Sequence, residues 1–168
     1  MGMVSVFSAY ASSILSLWLL ALAVVVFVFL GTRLAIIDAR THRLPNRIVG
    51  PWYLVAAALM GSAALFAGQG SDAWRMLAGG AILFGVYLVL HLIQPKGMGM
   101  GDVKLAGVLG MHLGLASWQH LLLGTFASFL LGGLYAMVLV LTKKANLKSS
   151  IPFGPFMIVG TAAALLVG

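Results

Sequence analysis

Apolar runs of membrane length alternate with short polar segments along this chain. The first, residues 13–37 (SILSLWLLALAVVVFVFLGTRLAII), meets the length a helix needs to cross a bilayer core, about 20 apolar residues for about 30 Å. Arg33, near its end, can snorkel outward. The polar stretch DARTHRLPNRIVG follows, with Pro45 as a breaker. Further apolar runs cover roughly 51–68, 74–93, 103–117, 120–141 and 152–168, parted by GQGSD, QPKGMGMGD and TKKANLKSS. The pattern predicts an all-α polytopic membrane bundle of about six transmembrane helices, in a single domain over 1–168. The fourth run is short for a span, which a tilted neighbourhood, local thinning or a re-entrant path would accommodate. The opening MGMVSVFSAY has no basic segment, and the first apolar stretch runs on without a convincing cleavage site, so it reads as a retained first helix and not a cleaved signal peptide.

Charge sharpens the topology. Hydrophobic residues make up 62% of the chain and charged ones 8%, against about 25% charged in soluble domains. Ten Lys and Arg face three acidic residues. In a soluble protein that excess would suggest nucleic acid; between apolar runs it marks topology and contact with anionic lipid, and no nucleic-acid partner is expected. Arg40, Arg43 and Arg47 lie between runs one and two. Lys96 and Lys104 flank the connection of runs three and four, and Lys143, Lys144 and Lys148 lie between five and six. The alternate connections carry only Arg75, balanced by Asp72, or no charge. The positive-inside rule puts the three basic connections in the cytoplasm and both termini outside, in a cell inner or plasma membrane. Trp52, Trp74 and Trp118 read as interface anchors. Gly110 and Gly114 form a GxxxG pair suited to close helix packing, within the bundle first and between protomers second; an oligomer is not established.

The acidic residues are few enough to weigh singly. Asp72 follows Ser71 in a predicted outer connection and reads as a turn or helix-start residue. Asp38 ends the first span and Asp102 opens the fourth, so the topology puts both on one face at similar depth. Asp102 suits a helix N-terminus, whereas Asp38 sits at the C-terminal end, where the helix dipole disfavours an anion. Three readings stay open on these residues: ordinary helix-end charges, ion or proton coupling in a small transporter, and an aspartyl dyad. In a dyad two carboxylates cannot both ionise cheaply, so one keeps a proton while the other draws a proton from water. Gly97, Gly99 and Gly101 just before Asp102 offer backbone able to take positive φ and to admit another chain closely. That segment, PKGMGMGDVKL, fits neither the P-loop nor the dinucleotide pattern.

Chain position also limits metal chemistry. With no cysteine, thiolate zinc sites, disulfides and cysteine nucleophiles are excluded. His42, His91, His112 and His120 have no pair at i,i+3 or i,i+4, so no metal site is expected.

Gly99-Met100-Gly101-Asp102 followed by Val103-Lys104-Leu105 resembles the GxGD-V-K-L signature of type IV prepilin peptidases. Asp38 with Leu44-Pro45-Asn46 resembles the other aspartate motif of that family, and Pro152-Phe153-Gly154-Pro155 resembles its closing motif. The resemblance covers about residues 33–160, on three connections of one side. It implies an intramembrane-type aspartic endopeptidase that removes the leader of prepilins at the cytoplasmic face. Asp38 and Asp102 would be the catalytic pair. Gly97, Gly99, Gly101, Lys104, Pro45, Asn46, Pro152, Gly154 and Pro155 would support the loops or the substrate. The implied partner is a prepilin, by its leader and adjoining hydrophobic helix, and no cofactor is implied because the carboxylates supply both acid and base. Larger family members carry a cytoplasmic insertion with paired cysteines; this chain resembles the compact tight-adherence or Flp-like form, and N-methyltransferase activity is in doubt. The other reading of the two aspartates is a small multi-pass transporter.

Overall fold

The computed structural model describes residues 3–95, 97–142 and 152–167. They form seven helices: α1 (Met3–Ala9), α2 (Ile14–Thr41), α3 (Asn46–Phe66), α4 (Gly70–Ile93), α5 (Met100–Ala116), α6 (Trp118–Leu141) and α7 (Gly154–Leu166). Helices α2 to α7 correspond to the six predicted spans. The short α1 was not expected, because no charged residue, glycine or proline parts its apolar residues from the first span. Ser13, in an extended conformation, ends that opening turn and accepts from the Ser16 N–H to start α2.

Four helices, α2, α3, α4 and α6, are long and apolar enough to cross a membrane; α7 is apolar but shorter. At 1.5 Å per residue α2 extends about 42 Å, more than a hydrocarbon core of about 30 Å needs. About half of the excess falls at its polar end, beyond Ile37, where Asp38 and Arg40 lie.

The short fourth run becomes the centre of the bundle. Thirteen of the 17 residues of α5 are buried, and it packs against α3, α4, α6 and α7. A helix shielded from lipid by its neighbours does not need the length of a lone span. Its closest partner is α4, and glycines set the approach. A Cβ on Gly79 would stand 2.6 Å from the Gly110 carbonyl oxygen and 2.9 Å from the Gly114 Cα. One on Gly110 would meet the Gly79 oxygen at 2.5 Å. The GxxxG pair is therefore used inside the chain, where small residues let two backbones meet without the hydrophobic drive that water supplies.

One anchor assignment is corrected. Trp74 and Trp118 are exposed, as interface residues would be, but Trp52 is fully buried. Its ring packs on Phe27 (6.0 Å between centroids) and edge-on to His112 (5.7 Å). It belongs to the inward stripe Val49, Trp52, Ala56, Met60 and Ala63 of α3, whose three- and four-residue spacing turns it to the core. Lys96 and the lysines 143, 144 and 148 lie outside the described residues.

Candidate active site

One end of the bundle gathers the C-terminal ends of α2 and α4 with the N-terminal ends of α3, α5 and α7. Asp38 stands in the last turn of α2, 4% exposed. Its Oδ2 accepts the N–H of Gly154 at 2.9 Å. The unfavourable place of Asp38 on its own helix is thus offset by another helix: the carboxylate faces the N-terminus of the 13-residue α7, where free N–H groups favour an anion. A Cβ on Gly154 would come within 2.8 Å of Oδ2, so any side chain there would have to displace the carboxylate. Pro155 lies in the first turn of α7, where its fixed φ suits a helix start.

Asp102 occupies the first turn of α5, directly ahead of the apolar run that begins at Val103. Its Oδ2 accepts the Gly99 N–H at 3.0 Å, a side-chain bond back to the residue that caps the helix. Burial first, and the charge of Asp38 second, push the Asp102 carboxyl up to about 6, against the lowering effect of the Gly99 N–H. Asp38 and Asp102 share the wall of one cavity of about 330 Å³, with His42, Arg43, Leu44, Gly99, Met100 and Gly101. Among the described residues neither carboxylate forms an ion pair; the pair that does form, Arg75 with Asp72 at 3.0 Å, involves the third acid.

The glycine segment does not act as its spacing suggested. None of Gly97, Gly99 and Gly101 has positive φ; Gly99 is extended at φ −74°, ψ 148°. What they supply is space. A Cβ on Gly101 would stand 2.9 Å from the Leu44 Cβ, and one on Gly99 3.3 Å from Asp102 Oδ2. The left-handed residue of this site is instead His42, φ 51°, whose N–H closes α2 on the Asp38 carbonyl at 2.8 Å. His91 Nδ1 lies 2.8 Å from the Met98 carbonyl oxygen, and that oxygen can only accept, so the ring donates and ties the glycine segment to α4.

Behind the cavity, Pro45 precedes α3 and its carbonyl accepts the N–H groups of Ile48 and Val49. Asn46 Oδ1 accepts from Lys104 Nζ at 3.0 Å. Tyr53, which no motif pointed to, donates its hydroxyl to the Lys104 carbonyl at 2.6 Å. The structure therefore brings Asp38, Asp102, Gly99 and Gly101 to the cavity wall, Gly154 onto Asp38, and Asn46 with Lys104 behind it. Gly97, Pro152 and Pro155 do not line the cavity. Leu44, Met100, His42 and Arg43 do line it; Leu44 was visible only as the first letter of its motif. The other histidines are engaged elsewhere: His112 Nδ1 meets the Val108 carbonyl oxygen at 2.9 Å, and His120 Nδ1 meets Ser117 Oγ at 2.7 Å.

Two carboxylates on one cavity wall, one of them disposed to keep its proton, can supply a base and an acid to a single substrate. Comparison with known proteins identifies a family. The model of the type IV leader peptidase family matches residues 22–137, a stretch that includes both aspartates. A "Prepilin leader peptidase/N-methyltransferase" of Stutzerimonas stutzeri is 34% identical over 136 residues, covering 80% of this chain and 46% of the relative. The protein of the same name from Bacillus subtilis is 33% identical over 147 residues, 86% of this chain and 55% of the relative. That from Aeromonas salmonicida is 31% identical over 150 residues, 88% and 50%. The chain spans about half the length of these curated relatives. No solved structure matches it. With its family match running across both aspartates and more than half its length, the chain belongs to the type IV leader peptidase family.

Proposed function

We propose that this chain is an aspartic endopeptidase, its residues 1–168 acting as one integral membrane peptidase domain, that removes the leader peptide of type IV prepilins of the tight-adherence or Flp-like kind. The observation that carries the reading is the single cavity of about 330 Å³ walled by both Asp38 and Asp102, with no cation paired to either among the described residues. That volume falls within the range of ligand pockets, about 300–1,000 Å³. Asp102 holds the proton and hydrogen-bonds the scissile carbonyl oxygen. Asp38, in its ionised form and held by the Gly154 N–H, takes a proton from the attacking water. The water oxygen bonds to the carbonyl carbon, and the tetrahedral intermediate collapses as the proton now on Asp38 passes to the leaving amine. The names of the relatives support a prepilin as substrate.

The cytoplasmic face of the inner membrane is the proposed side of reaction, supported by Arg40, Arg43, Arg47 and Lys104 at the cavity end of the bundle. Co-expression with a candidate prepilin tests the function by gel shift of the leader-free product. Wild type should process it; Asp38→Asn and Asp102→Asn should leave it full length. Proton flux into liposomes that depends on these aspartates, with no cleavage, would instead establish the transporter.

A further inference from the structure

The two carboxylates wall one cavity. Each is held by a backbone N–H of a different segment, Asp38 by Gly154 and Asp102 by Gly99. Something else must set their separation. The short connection 42–45 joins the helix that carries Asp38 to α3, and α3 meets the first turns of α5 at three points. Leu44, just before α3, rests on Gly101. Asn46, in the first turn of α3, accepts from Lys104 Nζ. Tyr53, two turns further along, donates to the Lys104 carbonyl, and its hydroxyl fills space that a side chain on Gly107 would take. These contacts bracket Asp102 from both sides along the helix. The Lys104 carbonyl already serves the helical ladder, so the Tyr53 bond is supplementary. The Lys104–Asn46 bridge is the contact whose side-chain groups make no other hydrogen bond among the described residues.

We propose that Lys104 and Asn46 are positioning residues that latch α3 to α5 and so fix Asp102 relative to Asp38. The proposal rests on the reading of the pair as an aspartyl dyad, and it assigns Lys104 no contact with substrate. An exposed hydrogen bond of this kind contributes little to global stability. A dyad, by contrast, loses rate steeply with misplacement, up to about a hundredfold for 1 Å. The latch therefore predicts variants that fold normally and turn over slowly.

The test is steady-state cleavage of a prepilin by the purified full chain carrying Lys104→Met, Asn46→Ala or both. Each single variant should lower kcat about tenfold with KM within about twofold. The double variant should be no slower than either single one, because both remove the same bridge. Asn46→Asp, which still accepts from Lys104, should recover most of the rate. An independent readout uses the absence of cysteine: spin labels at Arg43→Cys and Met100→Cys report the distance across the cavity mouth. Its distribution should broaden in Lys104→Met and stay narrow in Asn46→Asp. Unchanged kcat in Lys104→Met, a loss confined to KM, or additive losses in the double variant would overturn the latch. If wild type cleaves no prepilin, the peptidase reading fails, while the spin-label distances still decide whether the bridge holds α3 to α5.

Discussion

Asp72 and Asp102 hold the same local position, each in the first turn of a helix, and their surroundings could hardly differ more. Asp72 is closed off by partners: Arg75 pairs with it at 3.0 Å and the Tyr10 hydroxyl donates to it at 3.2 Å. The same Arg75 donates to the carbonyls of Gly114, Leu115 and Ala116, so it caps the C-terminal end of α5. At the opposite end of that helix Asp102 has one backbone donor, a second carboxylate across a cavity, and no paired cation among the described residues. One end of α5 satisfies its charges and seals the fold. The other leaves a charge partly unsatisfied, which costs stability and leaves a proton available. Local position in a helix does not separate an acid paired with a cation from one left without; the surroundings do.

Variants can break this contrast, beginning with the largest effect. Asp38→Asn or Asp102→Asn should lower leader removal by at least about 100-fold, the scale of a lost general acid or base. Gly154→Ala should follow at about ten- to a hundredfold in kcat, since its Cβ would press on Asp38 Oδ2 while the N–H remains. At the sealed end Arg75→Met should act on stability instead, by about 2 kcal/mol in denaturant titration of the detergent-solubilised protein, because three carbonyls and one carboxylate lose a charged donor.

A smaller effect has an informative sign. The Asp102 carboxyl is raised to about 6 in the fold from an ordinary 3.8, so the folded state binds its proton more tightly than the unfolded state. Its contribution is favourable at low pH and lost as pH rises through about 6. Asp102→Asn should therefore be more stable than wild type at pH 8, and the gap should close as pH falls below 6 towards 4. Thermal melts at both pH values check it. An inactive variant that is also more stable is the signature of a functional site. Smallest of all, Asp72→Asn should change the cleavage rate by no more than about twofold, since its partners lie at the far end of α5.

The spans were legible because long apolar runs leave a chain in lipid no choice but helix. The shared side of Asp38 and Asp102 followed from counting those spans. What the sequence left open depends on facing and on space. Trp52 near a helix end looks the same whether it turns to lipid or to the core, and only the α3 stripe decides. The alternate glycines suggested unusual φ, yet the constraint at Gly101 is the Leu44 side chain, a neighbour far away in sequence. The Gly154 N–H on Asp38 joins residues 116 apart, and the Lys104–Asn46 bridge residues 58 apart. Motifs mark such residues; spacing along one chain cannot say which of them meet.

The most direct test puts all three acids in one assay: initial rates of prepilin leader removal by purified wild type, Asp38→Asn, Asp102→Asn and Asp72→Asn, each verified as folded. The account predicts cleavage by wild type and Asp72→Asn at similar rates and none detectable from the other two. Processing by either Asp38→Asn or Asp102→Asn at a rate near wild type would contradict it.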